Sequence, residues 1–268
     1  MERKSLDTLC STLTYAMGID APELAADKNE ILTSYIDEKF HGEKADRIFM
    51  YNPDAIAEWI YEKYPQLLAK AMNHKELDVP FCTVMPSVTP VCFATMYTGV
   101  QPSVHGIQKY EKPVLTIETI FDMLIKAGKK PVIVADKNSS IANIFLNRDM
   151  DYFLYDRTEQ VNAKAAEIIM QNEYDFVVVY NGNYDSRLHK FGPEGLEALA
   201  ELRTNAQAFA TFSVLIERYW TKHNSLVAFA MDHGCHEIDG DAGSHGLDMP
   251  EDLNIVHFYQ AYPKCDDN

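Results

Sequence analysis

The sequence predicts an α/β domain, a mostly parallel central sheet flanked by helices, with a small cap and a helical N-terminal appendage. Three observations predict it. Short runs such as 176–180 (FVVVY) and 226–231 (LVAFAM) are almost continuously apolar, as strands buried on both faces must be. These runs alternate with segments of helical periodicity, the pattern of a sheet crossed by helices. Hydrophobic residues make up 47% and charged residues 24% of the 268 residues, a balance that supplies one large core and excludes a disordered chain.

The elements follow in order. Residues 1–45 read as polar and helical, with a break at Gly18, Ile19 and Asp20 and a helix over 29–40. They precede the first good strand and so form the appendage, leaving 46–268 as the main domain. Residues 47–51 (RIFMY) are a short apolar strand, followed by an amphipathic helix from Asp54 to about residue 71. A second strand covers 79–85, and a short helix opens at Thr89. Further strands lie at 131–135, 152–155, 176–180, 226–231 and 254–259, with helices around 116–127, 158–171 and 195–219. No internal repeat, low-complexity stretch or long linker interrupts them.

The net charge is −16, from 40 acidic against 24 basic side chains. Such a field repels polyphosphate backbones, which argues against nucleic acid polymers and anionic membrane surfaces as partners. A phosphate-handling site must then bring its own positive charge, and metal ions are the obvious source. Five cysteines, odd in number and without a C-x-x-C pair, read as free thiols of a reducing compartment. No apolar run is long enough for a signal peptide or a membrane span, so a soluble cytoplasmic protein is expected.

Four segments place Asp, His or Thr just after an expected strand. These are Asp54 after RIFMY, Thr89 after the second strand, Asp185 and His189 after FVVVY, and Asp232, His233 and then His245 after LVAFAM. In parallel α/β sheets the strand carboxyl ends share one edge, where chemistry gathers. Carboxylates gathered on one rim repel without cations. Mixed Asp/His ligation suits zinc, with manganese or iron also compatible, whereas calcium and magnesium prefer oxygen shells. Asp185 and His189 are four apart and share a helix face. Asp232 and His233 are adjacent and would diverge on a regular strand, so the strand must end there, which Gly234 permits.

Thr89, with Pro90 behind it, reads first as a helix cap. The same place favours an anion, and its hydroxyl can act as nucleophile when a cation helps to ionise it. Arg187 and Lys190 flank the ligands and either meet a substrate phosphate or stand in solvent. His105 reads as ordering its own turn, and His236, Glu237, Asp239 and Asp241 as solvating theirs. Tyr51, Tyr180 and Tyr184 read as core or rim packing rather than a base-stacking pocket.

On these residues the chain resembles the alkaline phosphatase superfamily, most closely its type I phosphodiesterase/nucleotide pyrophosphatase branch. The likeness spans roughly residues 46–261, with motifs in that family's order: Asp54, PSVTPVCFATMYTGVQPSVHGI around Thr89, DSRLHKFGP, MDHG and GSHG. It implies an alkaline phosphatase-like catalytic domain over 46–268, two divalent metal ions and a small phosphate-ester substrate. By that resemblance one metal is held by Asp185, His189 and His245, and the other by Asp54, Asp232, His233 and the Thr89 oxygen. Thr89 is then the nucleophile, passing through a phosphothreonine. Three residues after it, where the branch usually has an asparagine donating to a phosphate oxygen, stands Cys92, a weaker donor. Cys92, Arg187 and Lys190 are the candidate substrate contacts. The sulfatase motif Cys/Ser-x-Pro-x-Arg is absent. Hydrolysis of phosphodiester or pyrophosphate bonds is the expected reaction. Phosphomonoesterase, phosphonate hydrolase and phosphomutase chemistry on the same site are alternatives, as is a non-catalytic module stabilised by its metals.

Overall fold

A computed structural model describes residues 3–265. From the N-terminus the elements are β1 (Lys4–Ser5), α1 (Thr8–Met17), α2 (Glu30–Lys39), β2 (Arg47–Pro53), α3 (Glu58–Lys63), α4 (Pro65–Met72) and β3 (Leu77–Cys82). Then come α5 (Thr89–Thr98), α6 (Pro102–His105), α7 (Ile120–Lys126), β4 (Pro131–Asp136), α8 (Ser140–Ile144), β5 (Asp151–Tyr155) and α9 (Thr158–Gln171). The chain closes with β6 (Phe176–Asn181), α10 (Asn183–Phe191), α11 (Leu196–Tyr219), β7 (Ser225–Phe229), β8 (His236–Ile238), β9 (Ala242–Ser244), α12 (Pro250–Leu253) and β10 (Asn254–Tyr262).

Eight strands form one sheet in the order β1-β3-β10-β7-β2-β6-β4-β5, and β8 pairs with β9 in a separate hairpin. The centre is parallel: β2 lies between β6 and β7, and β4 between β5 and β6. β10 is inserted antiparallel between β3 and β7. Every residue of β2, β6 and β7 is buried, which is why they read as unbroken apolar runs. Helices cover both faces. Phe49 and Tyr51 of β2 pack on Phe209 and Phe212 of α11. From the other face, Phe176 and Tyr180 of β6 meet Phe93 and Tyr97 of α5 and Phe121 of α7.

The segment expected as an appendage is helical in α1 and α2 but is packed into the domain. β1 pairs with β3, and Leu6, Leu9, Cys10 and Leu13 are fully buried in the common core. A Cβ on Gly99, at the end of α5, would lie 2.6 Å from the Ala25 side chain. Residues 45 and 46 therefore mark the start of the central strands rather than a gap in packing. The long helix expected after Asp54 is two helices, split where Pro65 opens α4, because proline lacks an N–H for an interior helix bond. The second strand is shifted, ending at Cys82.

The five cysteines are unpaired. Among the described residues no helix is long and apolar enough to cross a membrane. What matters for the site is that β2, β6 and β7 end at one edge of the sheet. Asp54, Asp185 and Asp232 follow them within a few residues.

Candidate metal centre

Two triads of ligand-type side chains meet at that edge. One is Asp54, Asp232 and His233, all buried; the other is Asp185, His189 and His245. Within each, the ligand atoms lie within 4.8 Å of one another. His233 Nε2 is 3.3 Å from Asp54 Oδ1 and 3.4 Å from Asp232 Oδ2. In the second triad Asp185 Oδ1 is 3.2 Å from His189 Nε2 and 3.4 Å from His245 Nε2, with the two imidazole nitrogens 3.2 Å apart. The His233 and His245 rings stack with centroids 4.2 Å apart, so the triads adjoin.

Local structure explains each position. Asp185 and His189 lie one turn apart on α10. β7 stops at Phe229, so Asp232 and His233 escape the strand alternation and point into one site. The turn that follows demands glycine: a Cβ on Gly234 would sit 2.1 Å from the Glu251 carbonyl oxygen. Gly234→Ala is expected to cost about 3 kcal/mol through this overlap and to lower the melting temperature by several degrees, measured by thermal denaturation. An unchanged melting temperature would contradict the tight approach.

Thr89 does not cap its helix. Val88 precedes α5, and no side-chain cap bond forms. The buried Thr89 Oγ1 instead lies 3.4 Å from Asp54 Oδ2 and 3.3 Å from His233 Nε2. The hydroxyl is thus directed at the first triad.

The donor set fits a pair of divalent cations. Each imidazole places Nδ1 on a backbone carbonyl: His189 on Gly243 at 3.0 Å, His233 on Gly234 at 2.9 Å and His245 on Ser87 at 3.1 Å. A carbonyl only accepts, so Nδ1 donates and each Nε2 is left as a lone pair facing the carboxylates. Asp54 Oδ1, Asp185 Oδ1 and Asp232 Oδ2 are buried without a hydrogen-bond partner. Orphaned carboxylate oxygens facing imidazole lone pairs are costly unless a cation joins them.

The electrostatics carry the same strain. Burial, then Asp232 and Asp185, push the Asp54 carboxyl well up, and burial pushes Asp232 up to about 7. Burial pulls His233 down to about 4. At Asp185 the effect of burial is outweighed by His189 and His245, which hold its carboxyl low, while Asp185 lifts His189 to about 9. Without cations, protons take up the positions between these groups.

Of the candidate substrate contacts, Cys92 is fully buried with its Sγ 3.1 Å from Thr83 Oγ1. Arg187 leans toward Glu201, Nε to Oε1 at 3.8 Å, and Lys190 is exposed. Tyr51 and Tyr184 are core residues, whereas the buried Tyr180 hydroxyl donates to Asp54 Oδ2 and leaves Oδ1 to the triad. His105 orders its turn by accepting the Ile107 N–H and meeting Thr95 Oγ1 at 3.0 Å. Glu237, Asp239 and Asp241 are exposed, but His236 is buried against Asp252.

Sequence reasoning passes over Tyr110 and Lys112, in the loop between α6 and α7, where no periodicity marks a residue. Burial and then the charges of Asp54 and Asp185 raise the Tyr110 hydroxyl, while burial lowers Lys112 against the pull of Asp54. The Lys112 ammonium stands 5.3 Å from the centroid of the Tyr110 ring and donates to the Asn138 carbonyl at 2.6 Å.

The doubly covered, mostly parallel sheet is an alkaline phosphatase-like fold, shared with solved ectonucleotide pyrophosphatase/phosphodiesterase structures. Among solved structures the chain is similar to murine ectonucleotide pyrophosphatase/phosphodiesterase 5, with a TM-score of 0.59 and 16% identity over 72% of this chain. An inactive variant of that protein, threonine replaced by alanine, in complex with AMP, gives 0.58 and 15% over 73% of this chain. Human ectonucleotide pyrophosphatase/phosphodiesterase 5 gives 0.56 and 14% over 72%. The matches cover 58%, 59% and 58% of those chains, respectively, so this chain spans less than two thirds of their length and the likeness is one of fold. No family profile and no curated protein matches the sequence.

Proposed function

We propose that the protein is a two-metal hydrolase of phosphodiester or pyrophosphate bonds in small molecules, with Thr89 as nucleophile. The observation that carries this reading is the Thr89 hydroxyl at 3.3–3.4 Å from members of a triad in which each carboxylate keeps one buried oxygen without a hydrogen-bond partner. Asp54, Asp232 and His233 would hold one divalent cation, and Asp185, His189 and His245 the other; the nitrogen-and-oxygen donor set favours zinc, with manganese or iron also compatible. Bound there, the cations supply the charge that ionises a hydroxyl and neutralises phosphoryl oxygens.

The chain's own groups do the rest. Thr89 Oγ1 forms the bond to phosphorus as the bond to the leaving oxygen breaks, and water then hydrolyses the phosphothreonine. Thr89 stands at the first position of α5, where a helix N-terminus favours negative charge. Tyr180 fixes Asp54 through its hydrogen bond. A net charge of −16 keeps polymeric polyanions away and points to a small substrate. The AMP complex of the similar murine protein supports a nucleotide-type phosphate. The alternative is a phosphomonoesterase on the same site, which would take a dianionic phosphate.

The test is turnover of bis-p-nitrophenyl phosphate and p-nitrophenyl phosphate by chelated and zinc- or manganese-loaded protein. Metal-dependent turnover with the diester favoured is the expected result. A preference for the monoester selects the alternative, and turnover indifferent to metal contradicts both.

A further inference from the structure

We infer that the buried Asp252–His236 pair is a positioning device for the triad of Asp185, His189 and His245. The inference rests on the two-cation reading above.

The β8–β9 hairpin supplies two things to that triad. Gly243, in β9, accepts His189 Nδ1, and His245 follows β9 directly. A three-residue ladder is a weak anchor by itself, and only His236↔Ser244, Glu237↔Gly243 and Ile238↔Ala242 pair here. Asp252 grips both legs of the hairpin at its base. Its Oδ1 lies 2.7 Å from His236 Nδ1, at the first residue of β8, and its Oδ2 accepts the Leu247 N–H at 2.8 Å, two residues past His245. The carboxylate is fully buried and His236 is 8% exposed. Both oxygens are thus satisfied by bonds to a charged acceptor, which are shorter and stronger than neutral ones.

The other triad does not depend on this side chain. The Gly234 N–H, next to His233, is bound by the Asp252 backbone carbonyl at 2.8 Å, a contact that any residue at 252 retains. Removing the Asp252 carboxylate or the His236 ring therefore loosens the hairpin and its two ligand supports while leaving Asp54, Asp232 and His233 in place. Outer partners of metal ligands set affinity in this way, at about 10–100-fold each.

Zinc titration of the metal-free full chain by calorimetry tests the inference. Wild type is expected to take up two equivalents. In Asp252→Ala and in His236→Ala one equivalent weakens about 10–100-fold and the other is unchanged; adding Asp54→Asn then removes the unchanged one. His236→Asn, whose amide nitrogen can stand in for Nδ1, binds both within about threefold of wild type. If Asp252→Ala fails to fold, His236→Ala carries the test, with its metal-free melting curve as control. Equal weakening of both equivalents, no weakening in His236→Ala, or equal damage from His236→Asn and His236→Ala overturns the inference while the two-cation reading stands. A wild-type chain that binds fewer than two equivalents overturns both.

Discussion

Thr89→Ala is expected to lower kcat/KM for the preferred phosphate ester by about 10⁴-fold or more, equivalent to about 5.5 kcal/mol of transition-state stabilisation. Removing a nucleophile leaves only binding and electrostatic catalysis. The substitution deletes one hydroxyl with no cap role in α5 and two contacts at 3.3–3.4 Å, so the fold and zinc uptake are retained. Zinc uptake by the variant should match that of wild type, measured by calorimetry. Thr89→Ser keeps the hydroxyl and should keep measurable turnover, since only the methyl group that orients it is lost. Equal rates for wild type and Thr89→Ala would remove Thr89 from the reaction.

Metal binding is expected to raise the melting temperature by about 10 °C. Each site filled at 100 times its dissociation constant contributes about 2.7 kcal/mol, and each kcal/mol is worth about 2 °C in a chain of this size. Asp232→Asn should do two opposite things. Its Oδ1 can go on accepting the Ala55 N–H at 3.2 Å, while the buried, unpartnered Oδ2 loses its charge. The metal-free variant should therefore gain about 2 kcal/mol at pH 7.5, yet lose roughly half of the metal-induced gain. The sign follows from burial, which raises the Asp232 carboxyl to about 7. A raised carboxylate makes folding less favourable as pH climbs from its unfolded value through the folded one, and the amide removes that dependence. A metal-free variant less stable than wild type would show that the carboxylate is not strained.

Much of this was legible in the sequence because the relevant signals are local. FVVVY and LVAFAM announce doubly buried strands, and the residues just past strand ends announce a shared edge. Asp185 and His189 could be placed on one helix face from their spacing, and Gly234 permitted the break that lets Asp232 and His233 converge, while their pairing as ligands came from the order of the motifs. The antiparallel β10 could not be read, since an apolar run has no direction. β1, β8 and β9 have two or three residues each, too few for a period to show. The carbonyls behind the imidazoles were invisible for another reason. Gly243 and Ser87 act through backbone atoms, at sequence distances of 54 and 158, so no side-chain pattern marks them. Asp252, Tyr110 and Lys112 acquire their roles only through tertiary packing.

Anomalous X-ray scattering at the zinc edge, from crystals of the full chain grown with zinc, tests the central claim most directly. Two peaks are predicted, one among Asp54, Asp232 and His233 and one among Asp185, His189 and His245, each within about 2.2 Å of its ligand atoms. A single peak bridging the triads, or none at either, would contradict the account.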